Sequence, residues 1–297
     1  MIDFIKYSKI YFVIAILITL ASIISLFYFG LNLGMDFEGG TSIKVEYEAK
    51  APAIESVKNN LKVENYQIQN LGEKGFILKI NTKNISASEF SAIVKDMELE
   101  GTKIIDSELE TISPVVGAEL KQKTVVVVVC ALIAMLLYIA FAFRKVSKPV
   151  SSFQYGIVST LMLFHDVLIP LGLLAFLGAY YGVQFTIPIV TAILAIIGYS
   201  INNNVVVFDR IRENLHLNRK IGYREVVNIS LNQIYVRCIQ TSLTTLFVLI
   251  ALYFYFIGEE DIQFFSLAAS VGIIAGAFSS IFLASPILAK WVERKEV

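Results

Sequence analysis

The chain has 297 residues, of which 56% are hydrophobic, and its mean hydropathy of +0.67 is well above that of a soluble globular protein. Lysine plus arginine and aspartate plus glutamate number 25 each, so the net charge of zero indicates no class of partner. Two cysteines and two histidines exclude a disulfide framework and a metal site built on those residues. The composition indicates an integral membrane protein, for which we expect no cofactor and no nucleic-acid partner.

The first segment is a short head followed by an apolar run. Lys6 and Lys9 lie in the head, and residues 10–29 carry no charge over about twenty positions, the length that crosses a bilayer. A cleaved signal peptide is the alternative, but no small-x-small site follows the run, which is also long for a signal peptide. The sequence predicts an uncleaved membrane anchor.

Residues 41–121 form a polar insertion whose pattern is that of a small folded unit. Apolar alternation and turn residues predict, in order, a strand at 42–47, a helix at 52–61, strands at 66–70 and 76–80, a helix from a capping box at 86–89 to about 99, and a strand at 103–112. The order β-α-β-β-α-β is that of a ferredoxin-like fold. The unit contains no catalytic set of residues, so we expect a binding surface.

Five more apolar runs follow, at 124–143, 153–177, 185–208, 238–257 and 264–289. The predicted fold class is a polytopic α-helical membrane protein, with six transmembrane helices and a ferredoxin-like α+β extracytoplasmic domain between spans one and two. The predicted parts are the head and first helix at 1–30, the extracytoplasmic domain at 31–121, and a five-helix bundle at 122–297, with a cytoplasmic loop at 209–237 and a short cytoplasmic tail.

Lysine and arginine in the short connecting segments decide the predicted orientation. The head, the segment at 144–148, the segment at 209–237 and the tail all contain them. The opposite loops, 178–184 and 258–263, contain none, and the second is acidic. We therefore expect both termini in the cytoplasm and the folded domain on the outer side.

The sixth apolar run repeats small residues at every fourth position, Ala268, Gly272, Gly276 and Ser280. Small residues at this spacing let helices approach each other closely. We expect this helix to pack inside a bundle, either within the chain or against a partner.

The stretch 197–214 carries three consecutive asparagines, 202–204, in a membrane run. An unpaired amide in hydrocarbon costs on the order of several kcal/mol, so it needs a partner or a water-filled cavity. Residues three and four apart share a helix face, so Tyr199, Ser200 and Asn203 form one polar stripe. The alternative is that the helix ends near Asn202 and the amides cap it, which would leave the apolar residues 205–208 in water.

Two further polar sites lie in the apolar runs. Arg237 begins the fifth run and Asp166 follows His165 in the third, and an ionisable group in a span indicates a functional site. Alternatively, Arg237 only extends to the interface, and Asp166 is a structural residue that is neutral or paired with His165. Asn203 and Arg237 have matched depths near the cytoplasmic end, which predicts that they face each other.

Six short motifs follow one another along the chain. They are Gly34-x-Asp36-Phe37-x-Gly39-Gly40-Thr41, Pro114-x-x-Gly117-x-Glu119-Leu120, His165-Asp166-Val167-Leu168, Gly198-Tyr199-Ser200-Ile201-Asn202, the run from Val205 through Asp209 and Arg210 to Asn214, and Thr241-Ser242-x-Thr244-Thr245. Together they resemble the SecF family, the smaller subunit of the SecD–SecF protein-export complex, which is related to RND-type transporters. The resemblance covers nearly the whole chain, although the outer domain matches mainly in architecture.

The resemblance implies a multi-pass protein of the bacterial cytoplasmic membrane, in contact with membrane lipid. Such a subunit works with SecD and assists the SecYEG channel by pulling the translocating unfolded polypeptide from the outer face, driven by proton flow. The resemblance also implies structural roles for the motif residues Gly34, Asp36, Gly39, Gly40, Pro114, Gly117, Asp209 and Arg210.

The resemblance implies a proton path, and the chain departs from it at one position. In the family pattern, Ser-Ile-Asn is followed by an aspartate that serves the path with a downstream arginine. The arginine corresponds to Arg237, but the aspartate position is Asn203, and an amide does not take up and release a proton. Either proton coupling is absent from this subunit or another carboxylate supplies it, with Asp166 the nearest in this chain and SecD contributing its own.

Two other functions are open at this point. An RND-like exporter of lipid or small molecules usually has two six-span halves, whereas this chain has one. A non-transporting assembly subunit, which only holds SecD or the channel, is favoured by Asn203. An enzyme is not expected, because the sequence has no nucleotide-binding loop, no Ser-His-Asp order and no metal cluster.

Overall fold

A computed structural model describes residues 2–63, 66–80, 85–99, 101–142, 150–217 and 221–296, with side chains up to residue 293. In chain order its elements are α1 (Ser8–Phe29), α2 (Met35–Glu38), β1 (Gly40–Tyr47), α3 (Ile54–Asn60), β2 (Tyr66–Leu71), β3 (Gly75–Ile80), α4 (Ala87–Met97), β4 (Ile104–Ile112), α5 (Pro114–Ala142), α6 (Ser152–Tyr181), α7 (Ile187–Leu217), α8 (Tyr223–Tyr255), α9 (Glu260–Ser279), a π-helical turn (Ser280–Ala284) and α10 (Ser285–Glu296). Within the described residues, six helical segments are long and apolar enough to cross a membrane. They are α1, α5, α6, α7, α8 and the continuous segment from α9 through the π turn into α10.

The residues between α1 and α5 form a four-stranded antiparallel sheet with two flanking helices, called the outer unit below. Its strand order is β2-β3-β1-β4, with β1 in the middle between β3 and β4. Alternate residues of β1 pair with residues of β3, Ile43 with Leu78 and Val45 with Phe76. These four side chains belong to a buried core that α3 and α4 cover. The predicted strands and helices are all present, and the predicted capping box at Ser86 opens α4.

Tyr47 links this sheet to the end of α4. Its hydroxyl donates a hydrogen bond of 2.8 Å to the backbone carbonyl of Met97. Burial, and after it the charge of Glu98, raises the pKa of Tyr47 to about 12. The hydroxyl therefore stays protonated at physiological pH and keeps its role as a donor.

Polar contacts from the sheet hold the outer unit against the loops that join the membrane helices. Gln67 donates to the carbonyl of Gly182 after α6 at 3.2 Å, and Gln69 donates to Glu260 at the start of α9 at 2.6 Å. Lys79 lies 4.0 Å from Asp261. These contacts attach the outer unit to two separate loops at one end of the bundle.

Helices α6, α7 and the α9–α10 segment form the interior of the bundle, whereas α1, α5 and α8 leave most of their apolar surface exposed. The small residues of α9 explain its depth, since a Cβ at Gly272 would overlap the side chain of Ile196, and one at Gly276 would lie 3.4 Å from Ser200 Cα on α7. The predicted packing of this span inside a bundle is therefore confirmed, and its partner is α7 of the same chain.

Several membrane helices extend beyond their apolar runs. Helix α5 starts at Pro114, ahead of the predicted 124, because proline suits the first helical position and Glu119 pairs with Lys123 at 2.8 Å one turn later. Helix α7 continues to Leu217 and α8 begins at Tyr223. The predicted loop at 209–237 is therefore helical over most of its described length.

Candidate functional site in the membrane core

Asp166 is the centre of a buried polar cluster formed by α6, α7 and α9. Its side chain is 0% exposed. Oδ2 accepts hydrogen bonds from the hydroxyls of Ser200 at 2.5 Å and Ser279 at 2.8 Å, and Oδ1 lies 2.9 Å from Nδ1 of His165. Three helices thus place polar side chains around one carboxyl group inside a hydrophobic core.

The charge of this cluster depends on one proton. Among the described residues, His165 is the only basic side chain within ion-pair distance of Asp166. Because a net charge in a membrane interior is costly, the two groups are best accommodated as a neutral unit with one shared proton. A carboxyl group and an imidazole in contact can take up or release a proton, so the arrangement is suited to proton transfer.

Prolines disturb the helices on both sides of the cluster. Pro170 has no N–H to donate to the carbonyl of Asp166, one turn earlier in α6. Pro286 likewise has none for the carbonyl of Phe282, and the π turn Ser280–Ala284 precedes it, directly after Ser279. Ser285 donates to the carbonyl of Ser280 at 3.3 Å, which closes the wider turn. Irregular backbone of this kind is tolerated in a span where protein surrounds it.

The asparagines lie within a continuous helix. Because α7 runs from Ile187 to Leu217, the interpretation that the helix ends near Asn202 is wrong. Asn202 is exposed, whereas Asn203 is 3% exposed and Asn204 is 0% exposed. The Asn203 amide nitrogen and both polar atoms of Asn204 have no hydrogen-bond partner among the described residues.

The predicted stripe of Tyr199, Ser200 and Asn203 divides between two neighbours. Ser200 points to Asp166, whereas the Tyr199 hydroxyl donates to Ser242 of α8 at 2.9 Å, and Ser242 in turn donates to the carbonyl of Cys238. The stripe therefore ties α7 to α6 on one side and to α8 on the other.

Arg237 has a different environment from Asn203. It is exposed and lines a surface cavity of about 480 Å³ together with Val206, Asp209, Glu213 and other residues of α7 and α8. No hydrogen bond joins Arg237 to Asn203 among the described residues, so the facing pair predicted from matched depth is not formed here. A role for the two residues in a proton path stays a prediction.

The motif residues Asp209 and Arg210 form short ion pairs along α7. Asp209 pairs with Arg212 and Arg210 with Glu213, each at 2.6 Å, and Arg210 also donates to Gln233 of α8 at 2.8 Å. The ion pairs lie within α7, and the bond to Gln233 holds α7 against α8, consistent with a structural role.

A second motif lies where the outer unit joins the bundle. The N–H of Gly34 donates to the carbonyl of Phe185 at 2.9 Å, and the N–H of Phe185 donates to the carbonyl of Asn32 at 2.6 Å. The ring of Phe37 stacks on that of Phe185 at 5.9 Å. Asp36 Oδ2 accepts the N–H of Ile187 at 2.9 Å. The short helix α2 thus supplies the cap of α7, the helix that carries the asparagines.

Replacing Asp36 with alanine is expected to lower the free energy of unfolding by about 1 kcal/mol, because it removes a side-chain cap from the N-terminus of α7. Chemical denaturation of the detergent-solubilised protein measures the change. Glu38→Ala is the matched control, since Glu38 is an exposed acidic residue of the same short helix. Equal losses in the two variants would show that Asp36 does not act as a cap.

The sequence identified part of this site. It singled out Asp166, His165, Ser200 and Asn203 as polar groups in spans, and the structure brings the first three together. It did not single out Ser279, whose position next to the small-residue repeat of α9 was the available signal. Nor did it connect Tyr199 with Ser242, although both belong to the recognised motifs.

The fold and the site together define the class of protein to which this chain belongs. A bundle of long apolar helices, a buried carboxyl group among hydroxyls, and a folded unit docked on the loops at one end are features of a polytopic membrane protein with an intramembrane polar site, which is typical of transport proteins.

Comparisons with known protein families identify the family within this class. Residues 92–294 match the family model of the protein export membrane protein SecD/SecF, C-terminal region, and residues 24–51 match that of the SecD/SecF GG motif. The first match covers more than half of the chain. The chain therefore belongs to the SecD/SecF family of protein export membrane proteins.

Individual relatives agree with this assignment. Protein translocase subunit SecF of Thermobaculum terrenum is 36% identical, over 98% of this chain and 94% of that protein. Protein translocase subunit SecDF of Thermus thermophilus is 34% identical, over 90% of this chain and 35% of that longer protein. The crystal structure of SecDF from Thermus thermophilus, described as a translocon-associated membrane protein, has a TM-score of 0.78 at 31% identity, covering 99% of this chain and 39% of that one.

Proposed function

We propose that this chain is a SecF-type subunit that assists translocation of unfolded polypeptide through the Sec pathway, together with SecD and the SecYEG channel. The supporting observation is similarity over nearly the full length to proteins named translocase subunit SecF. The SecDF relative supports a SecD partner, since this chain aligns with about a third of that longer protein. The exposed apolar faces of α1, α5 and α8 offer surface for such a partner and for lipid.

The outer unit is proposed to be a ferredoxin-like domain on the extracytoplasmic side. Its β-α-β-β-α-β order and its antiparallel sheet order β2-β3-β1-β4 support this fold. Its helices cover one face of the sheet, and the edge strand β4 has mostly exposed side chains. This surface is a candidate for contact with the emerging polypeptide.

Proton flow is proposed to drive the subunit, with Asp166 as the carrier in this chain. The observation that carries this step is the buried contact of Asp166 with His165, Ser200 and Ser279. The aspartate of the family pattern is replaced by Asn203, which cannot titrate. Asp166 is a buried carboxyl group of α6 that contacts Ser200 of α7, one turn before Asn203. It can exchange its proton with His165.

The test of the proposed function is preprotein uptake into inverted membrane vesicles that contain SecYEG and SecD, with and without this chain. We expect the chain to increase uptake, and an uncoupler to remove the increase. Uptake that the chain does not change would contradict a role in translocation. An increase that survives the uncoupler would instead support the assembly-subunit function, which Asn203 favours.

The proposed orientation places both termini in the cytoplasm, because the basic short segments share one side. We expect a cysteine at Ser88 in intact cells to react with a membrane-impermeant thiol reagent, and a cysteine at Glu225 to stay unreacted until the cells are opened. Both positions are exposed. Cys130 and Cys238 are first replaced by alanine. Reaction at 225 but not at 88 would reverse the orientation and remove the basis for pulling from the outer face.

A further inference from the structure

Buried polar atoms without a hydrogen-bond partner among the described residues occur on both α6 and α7. The hydroxyl of Ser159, which is 1% exposed, has no hydrogen-bond partner among the described residues. The same is true of the amide nitrogen of Asn203 and of both side-chain polar atoms of Asn204. The Asp166 cluster accounts for none of these atoms, since the hydrogen-bond partners of Asp166 are His165, Ser200 and Ser279.

Two contacts between α6 and α7 bracket these atoms. On the side of the outer unit, Ser200 donates to Asp166. On the opposite side, the rings of Tyr155 and Phe208 lie 5.0 Å apart. Ser159 follows Tyr155 by one turn and precedes Asp166 by two, and Asn204 lies midway between Ser200 and Phe208. Because the two helices run in opposite directions, Ser159 and Asn204 lie at the same level, about 6 Å from Ser200 along α7.

The amide of Asn204 makes this level unusual. A side-chain amide has two donor hydrogens and an acceptor oxygen with two lone pairs, and none of these is satisfied by the described residues. Buried polar groups in native proteins are almost always hydrogen-bonded, either to protein or to ordered water. Water fills such places where several polar groups converge, and Ser159, Asn203 and Asn204 supply both donors and acceptors.

We propose that Ser159, Asn203 and Asn204 form a binding site for a small cluster of ordered water molecules inside the bundle, on the side of Asp166 away from the outer unit. The hydroxyl and the amides orient the water by donating to it and accepting from it. This part of the proposal rests on the proposed proton coupling. The water extends the Asp166 cluster by one helical turn toward the C-terminal end of α7.

Met162 reports on this water. It lies one turn from both Ser159 and Asp166 on the same face of α6, and it is only 4% exposed. X-ray pulses convert bound water into hydroxyl radicals, which oxidise a methionine thioether that lies beside the water. Met97, 0% exposed in the core of the outer unit, is the internal reference, and the Tyr47 hydroxyl beside it already donates to the Met97 carbonyl.

Radiolytic footprinting of the purified full-length protein, read by mass spectrometry, is the experiment. In the unaltered protein we expect Met162 to be oxidised faster than Met97 despite its burial. In the double variant Ser159→Ala, Asn204→Leu the Met162 rate should fall to that of Met97. Asn202→Leu, the same change at the exposed neighbouring amide, should leave the Met162 rate unchanged.

Two results would overturn the site. If Met162 and Met97 are oxidised at the same low rate in the unaltered protein, no water lies beside Met162, and this comparison needs no folded variant. If Met162 is oxidised quickly and the double variant does not slow it, the water is held by other groups. Neither result depends on export, so failure of the proposed function and failure of this site are separate outcomes.

Discussion

Asp166→Asn is expected to abolish the part of preprotein export that an uncoupler removes, while the protein stays folded. Asparagine keeps the size of the side chain, and its amide oxygen can still accept from Ser200 and Ser279. Asparagine cannot bind and release a proton, so residue 166 no longer shares a proton with His165 and no longer carries one. Export in inverted vesicles with the variant should equal export by the unaltered protein in the presence of uncoupler.

A matched control separates proton transfer from general damage to the core. Ser266 on α9 is 0% exposed, and the carbonyl of Ile262 in its own helix is the one acceptor of its hydroxyl among the described residues. Ser266→Ala therefore changes a buried polar side chain of the same bundle without touching the Asp166 cluster. It should leave the uncoupler-sensitive part of export intact.

A second variant tests the structural side of the same cluster. Asp166→Leu removes the acceptor and leaves the hydroxyls of Ser200 and Ser279 to find other partners, each at a cost of about 1–3 kcal/mol. It should therefore unfold more easily than Asp166→Asn. If the export of Asp166→Asn remains as sensitive to uncoupler as that of the unaltered protein, Asp166 is a structural residue, and the coupling lies in SecD or the channel.

The spans were predictable because a run of about twenty uncharged residues has few alternatives to crossing a membrane. Their ends were not, since hydropathy stops at the first charged residue whereas a helix stops where its backbone hydrogen bonds do. In α7 the charged run 209–214 continues the helix, with Phe208, Ile211 and Asn214 buried at helical spacing. That periodicity was present in the sequence and was the signal for a helix.

The neighbours of each polar residue were less predictable than its depth. Depth follows from position along a helix, but contact also needs the rotation of the helix about its axis, and 3.6 residues per turn spread side chains around it. Asn203 and Arg237 have similar depths, yet Asn203 is buried and Arg237 faces an exposed cavity. The contact of Ser279 with Asp166 depends on how α9 packs against α6, which no local pattern specifies.

Substitution of a glycine at the junction of the outer unit and the bundle is the other change with a large expected effect, in this case on stability. Gly39 ends α2 with φ of +79°, a conformation that residues with a side chain rarely adopt. A Cβ there would lie 2.8 Å from the backbone nitrogen of Pro114 and 2.9 Å from the carbonyl oxygen of Ile112. From the other side, a Cβ at Gly117 would lie 2.9 Å from the carbonyl carbon of Phe37. The start of α5 and the end of α2 therefore meet through backbone atoms, with no flexible side chain to move aside.

Gly39→Ala is expected to destabilise the protein far more than Gly30→Ala, and the difference measures this close approach. Gly30 also has a positive φ, of +69°, but no atom lies within 4 Å of its added Cβ. Gly30→Ala should thus cost only the backbone strain, about 1–3 kcal/mol. Gly39→Ala should cost the same strain and about 1–3 kcal/mol more for the overlap with Pro114 and Ile112. Denaturant unfolding of both variants in detergent, followed by far-UV circular dichroism, provides the comparison. Equal losses would mean that the junction yields to a methyl group, so that α2 and α5 are not held in fixed contact.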